Sequence, residues 1–196
     1  MAKNLKFLVA LFSLVTFSLH AQNKTIDYLS IPGPIKLDNK TYNLVWSSHP
    51  SENYYKQEYL SPGEKIEKYN TLTLIEFVKG DFDLKDVVDQ KVSEIEKMKQ
   101  SNPVVNYETY ENNGEYIVDF LMSENSKDGK EILIAERNIY RYKLVTVNES
   151  KGVLLFAVSE RGYKENMAQF FNNLKNNSTH LIEVVGNYKL PDVQLK

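Results

Sequence analysis

The stretch DFDLKDVVDQKVSEIEKMKQ, from Asp81 to Gln100, is where the period of the sequence changes. Leu84, Val87, Val88, Ile95 and Met98 fall near spacings of three, four, seven and eleven, while Lys85, Asp89, Glu94, Glu96 and Lys97 occupy other faces. That spacing predicts an amphipathic helix. Asp83 is placed to cap the free N–H groups of the first turn, and Asp86 adds negative charge at the positive dipole end. Lys97 and Lys99 lie at the other end, and Asn102-Pro103 closes it. Asp81-Phe82-Asp83 superficially resembles the start of a calcium loop, but lysine stands at the fifth position and the required glycine is missing at the sixth. Helix capping is the better account of these acids.

On both sides of this helix the pattern is that of strands. Tyr42 to Trp46 reads as a strand stopping at Ser47-Ser48-His49-Pro50. Tyr54 to Leu60 and Thr71 to Lys79 are β-rich runs joined through the turn Ser61-Pro62-Gly63-Glu64. After the helix come Val104 to Tyr110, Tyr116 to Ser123, Glu131 to Val145 and Gly152 to Glu160, with Asn112-Asn113-Gly114 and Lys127-Asp128-Gly129 as turns. These predict an antiparallel meander. Gly152 to Glu160 is apolar on both faces, so the sheet must be covered on both sides near its centre. Met167, Phe170, Phe171, Leu174, Leu181, Ile182, Val185 and Tyr188 keep one helical phase across Asn176-Asn177-Ser178-Thr179, which favours a continuous or kinked helix from Lys164 to Asn187. The expected fold is α+β: an antiparallel sheet of six or seven strands packed with two main helices. Residues 22–40, with Ile31-Pro32-Gly33-Pro34 and no sustained period, are expected to form an irregular arm ahead of a single domain over 41–196.

This element order, covering roughly Tyr42 to Tyr188, resembles the PsbP family of extrinsic photosystem proteins and their relatives. No motif accompanies the resemblance. It implies a PsbP-like sandwich and a binding or accessory role, and it assigns no site.

Lys3 and Lys6 followed by an apolar run from Phe7 to Leu19, with small residues Ser18-Leu19-His20-Ala21 before Gln22, predict a signal peptide over residues 1–21. The run is too short for a membrane span. The mature chain is therefore expected to be exported, to the periplasm or beyond the cell, with no integral membrane segment. Of 24 Lys and Arg, loss of Lys3 and Lys6 leaves 22 against 26 Asp and Glu, a net charge of −4. That balance argues against nucleic acid as a partner. The 196 residues contain no cysteine, which excludes disulfides, thiolate metal sites, cysteine nucleophiles and a lipoprotein anchor. With 42% hydrophobic and 26% charged residues the chain can bury a core.

Catalytic patterns are scarce. His49 and His180 lack metal-ligand spacing, and neither phosphate loops nor activated-serine motifs occur, so no cofactor is implied. Three features carry a functional reading. Asp119 and Glu136 sit inside strands among apolar residues, where a carboxylate needs a partner or a raised pKa. Glycosidases need only such a pair, but a partly buried ion pair is the stronger account: one hairpin register sets Asp119 opposite Arg137, and a shift of two residues sets Arg137 opposite Ile117 instead. The three arginines, Arg137, Arg141 and Arg161, could gather on one side of the sheet and hold an anion. Finally, the 13 tyrosines include Tyr55 and Tyr59, which share a strand face suited to an interface. The expectation is an exported, non-enzymatic binding or accessory domain that meets a protein or surface ligand through Tyr55 and Tyr59 or the arginine face. The alternative is a hydrolase of envelope or extracellular polymer working through Asp119 and Glu136.

Overall fold

A computed structural model describes residues 25–196; the expected signal peptide lies outside the described residues. The predicted helix is α1, Leu84–Lys99, and Asp83 caps it by accepting from the amides of Lys85 and Asp86. It joins two antiparallel meanders. The first contains β1 (Ile35–Leu37), β2 (Lys40–Ser51), β3 (Tyr54–Leu60) and β4 (Thr71–Lys79); the second contains β5 (Asn106–Asn112), β6 (Glu115–Asn125), β7 (Ile132–Val147) and β8 (Ser150–Tyr163). β4 and β8 pair antiparallel, so the sheet runs β1-β2-β3-β4-β8-β7-β6-β5. The seam is buried on both faces, with seven consecutive buried residues in β4 and eight in β8.

Eight strands replace the expected six or seven. The added strand lies in the arm that the sequence pattern leaves without structure. Asp38 and Asn39 take φ of 48° and 59°, the pair of left-handed residues that a tight two-residue hairpin needs, and they set Leu37 opposite Lys40. The arm belongs to the core, since Leu29 and Ile31 are buried against the sheet. β2 also runs on through Pro50. A register irregularity between Ser48 and Ser51 accommodates the proline, beyond the stretch of β2 that β1 covers.

α1 packs Leu84, Val87, Val88 and Ile95 on one face, over Val118, Phe120 and Leu155. The other face meets the arm, the C-terminal tail and two helices, α2 (Met167–Asn176) and α3 (His180–Asn187), after a 3-10 turn at Lys164–Asn166. The single helix expected there is broken. Asn176 to Thr179 are weak helix formers that compete for the backbone, and the Ser178 carbonyl is taken by Arg137. Gly162 lies beneath α2, where a Cβ would come within 2.4 Å of the Phe170 ring. No helix among the described residues is long and apolar enough to cross a membrane.

Candidate functional site

Arg137 and Arg141 do share a face, as their spacing on one strand requires. They are clamps for the C-terminal helices. Asp119 pairs with Ile139 and Leu121 with Arg137, so Asp119 and Arg137 meet on the diagonal of the ladder. The guanidinium donates to both carboxylate oxygens, Nε at 3.0 Å and the second nitrogen at 2.8 Å, and also to the Ser178 carbonyl. Arg141 donates to Glu115 at 2.6 Å and to the Val185 and Tyr188 carbonyls at 3.0 and 2.8 Å, satisfying the end of α3. Lys143 also reaches Glu115, at 2.8 Å. Partial burial pushes the Glu115 carboxyl up, but Arg141 and Lys143 more than offset it and hold it below the usual range.

Arg161 is on the opposite face. It donates to Glu136 at 2.6 Å and lies 4.1 Å from the Tyr69 ring centre, while the Tyr69 hydroxyl donates to the same carboxylate oxygen at 2.8 Å. Three arginines therefore do not gather on one side. For the same reason Asp119 and Glu136, each bonded to its own arginine, stand on opposite sides of the sheet and cannot flank one glycosidic bond. Tyr55 and Tyr59 share a face as expected, but it is an internal one. Tyr55 stacks on His49 with ring centres 4.0 Å apart. Tyr59 is fully buried and donates to the Ile31 carbonyl at 2.7 Å, beside Gln57, which accepts from the Leu29 amide and donates to the Ile31 carbonyl. Tyr59 and Gln57 hold the arm, whose irregular backbone needs partners once buried.

Two features escaped the sequence. One is Glu76, in the middle of an apolar strand and 2% exposed. Lys56 lies 2.9 Å from Glu58 and 3.5 Å from Glu76, and the Tyr54 hydroxyl bonds Glu76. Glu76, Lys91, Glu94 and Tyr142 line a cavity of about 30 Å³ between α1 and the sheet, room for little more than water. Burial raises the Glu76 carboxyl above its ordinary value despite Lys56 and Tyr54. Burial pulls the Lys56 ammonium down, but Glu76 and Glu58 more than offset it and hold it above its ordinary value. An acid with a raised folded-state pKa is most favourable below its unfolded pKa, and its contribution to stability falls as pH rises through the interval up to the folded value. Glu76→Gln, which keeps an acceptor for Tyr54, should therefore match the wild type at acid pH and gain on it in melting temperature as the pH rises toward neutral. Parallel melting profiles across that range would refute a buried, titrating Glu76.

The other is a groove of about 310 Å³ between the β5–β6 hairpin and α3. Tyr110, Asn112 and Asn113 line one side, Ile182, Gly186 and Asn187 the other, and Ile117 and the Arg141–Glu115 pair are also part of its lining. Tyr110 is one of three large hydrophobic side chains left exposed among the described residues, at 38%. Its hydroxyl donates to Glu108, which raises the phenol to about 12 and ties down the tip of the ring. Asn112-Asn113-Gly114 does make the expected tight turn, with φ of 53° and 75° at Asn113 and Gly114. Its juxtaposition with Gly186 and Asn187, some 70 residues later, has no local signal. No group of three or more His, Asp or Glu side chains suited to a metal is present among the described residues.

A protein-family model matches residues 29–190, taking in the arm from Leu29 onward, both meanders and the helices α1, α2 and α3. The chain belongs to that family, an uncharacterised one. The match begins at Leu29, the buried residue that Gln57 anchors, so the buried part of the arm lies within the matched extent. No curated protein and no solved structure matches the chain.

Proposed function

We propose that the protein is an exported, non-enzymatic binding or accessory domain, and that its binding site is the groove between the β5–β6 hairpin and α3. The observation that carries this reading is the groove itself: about 310 Å³ of open space with an exposed aromatic ring and uncommitted carboxamides on its walls. That volume is at the lower end of small-ligand sites. The charged groups on the sheet are committed elsewhere, to helix clamps and to paired acids, which supports binding over polymer hydrolysis. The resemblance in element order to the PsbP family, with its implied accessory role, points the same way. The export signal read at Lys3 to Ala21 sets the compartment in which partners are to be sought.

The experiment is capture from envelope and culture medium with the mature chain beside a Gly186→Leu variant. A Cβ at Gly186 meets only Ile117 Cδ1, at 3.4 Å, and Gly186 lines the groove, so a larger side chain there is the substitution chosen to occlude it. A ligand or partner held by the first and lost by the second is the expected result. Equal capture by both would move the site elsewhere, and polymer cleavage abolished by Glu136→Gln would restore the hydrolase.

A further inference from the structure

The groove's chemistry narrows what it can hold. Arg141 is the cation on its wall, and all its directed bonds run inward to Glu115, Val185 and Tyr188. Lys143 adds a second positive charge to the same Glu115. An anionic ligand would find no uncommitted guanidinium, and Glu183 on the rim would repel it. What remains is polar and neutral. The side chains of Asn112, Asn113 and Asn187 make no hydrogen bond within the described residues, and each offers both a donor and an acceptor. Ile117 and Ile182 are half-buried and give the floor an apolar character. Tyr110 adds a flat ring whose hydroxyl is already used on Glu108.

The position of Gly186 supports a built cavity. A glycine in a helix costs about 1 kcal/mol relative to alanine, and here, one residue before the end of α3, a Cβ would meet only Ile117 Cδ1, at 3.4 Å, on the lining of the groove. A saccharide ring carries no charge, can lay its apolar C–H face on an aromatic ring and offers hydroxyls at its edge to carboxamides, and so meets all three conditions.

Resting on the binding reading above, we infer that this groove is a site for a neutral saccharide, one ring stacked on Tyr110 with its hydroxyls bonded to Asn112 and Asn187. A glycan array of neutral hexose and N-acetylhexosamine oligosaccharides, followed by calorimetric titration of the strongest hit, tests it. Expected is binding in the micromolar to millimolar range, weakened at least tenfold both by Gly186→Leu and by Tyr110→Ala. Tyr110 is on an exposed edge strand, so its truncation leaves the fold intact, and circular dichroism and melting verify this for each variant. The affinity should also survive high salt, since no net charge is exchanged. Absence of binding to every neutral glycan at millimolar concentration overturns the saccharide assignment, as does binding that collapses with salt or ignores both variants. If a captured protein is still lost in Gly186→Leu while no glycan binds, the saccharide falls and the binding domain stands. If neither a partner nor a glycan is held, both fall.

Discussion

Arg137→Met is expected to destabilise the protein by about 3–5 kcal/mol, a large share of the 5–15 kcal/mol that holds a domain together. The side chains of Arg137 and Asp119 are only 7% and 15% exposed. Removing the guanidinium leaves the carboxylate half of a forked pair without its counter-charge, and strips the Ser178 carbonyl of the donor that meets it at the break between α2 and α3. The loss comes from the orphaned groups more than from the pair itself. Replacing both partners, as Arg137→Met with Asp119→Leu, should therefore recover a substantial part of it, since an apolar pair of similar size is often neutral against a buried ion pair. Urea denaturation of the four proteins in the cycle measures the coupling. Additive losses would mean that Arg137 acts through packing alone. Greater susceptibility of α2–α3 to proteolysis in the single variant, restored by neither Asp119→Leu nor salt, would assign the dominant contact to Ser178.

The same residues mark how far the sequence could be read. Periodicity is a local property, so α1 and the strands of both meanders follow from it, Tyr54–Leu60 and Thr71–Lys79 to the residue. The β1 hairpin is missed because three residues are too few to establish alternation; its signal is only the pair Asp38-Asn39, two residues that tolerate left-handed backbone. The broken C-terminal helix is missed for a different reason. A preserved apolar phase is compatible with two helices lying on one sheet face; the weak helix formers at Asn176 to Thr179 are local, but the donor that meets the Ser178 carbonyl at the break, Arg137, is 41 residues away in sequence.

The candidate residues follow the same division. Alternation correctly puts Arg137 and Arg141 together, but the side to which Arg161 belongs depends on the β7–β8 register, in which Glu136 faces Arg161. An acid inside a strand is legible as needing a partner, and Asp119 and Glu136 each have an arginine. Glu76 obeys the same rule in a run that reads as purely apolar. The abundance of tyrosine was a poor guide to surface, because Tyr55 and Tyr59 are buried while Tyr110, on the far edge, is the one left open. Chemistry assembled from two distant segments, as in the groove, leaves no trace in either.

Val88→Asp should be at least as damaging as the loss of Arg137. Val88 is 3% exposed, on the face of α1 that packs over the second meander. The substitution removes roughly 1.5–3 kcal/mol of apolar burial and places a carboxylate in a cluster of buried apolar side chains, a cost of several kcal/mol that protonation of the group lowers. The helix cannot turn the residue outward, because Leu84, Val87 and Ile95 fix its rotation. A total near 4–5 kcal/mol or more should leave the domain largely unfolded at 37 °C. The contrasting substitution is Asp89→Ala, one position along, whose carboxylate is exposed and pairs only with Lys85; there the change should stay within about 0.5 kcal/mol. Thermal melts of the two variants at neutral pH separate the alternatives. If Val88→Asp melts with the wild type, α1 does not bury this face. If its stability recovers at low pH, the damage is the charge; if it does not, packing dominates. The sign of that pH dependence follows from the protonated acid being the form the core accepts.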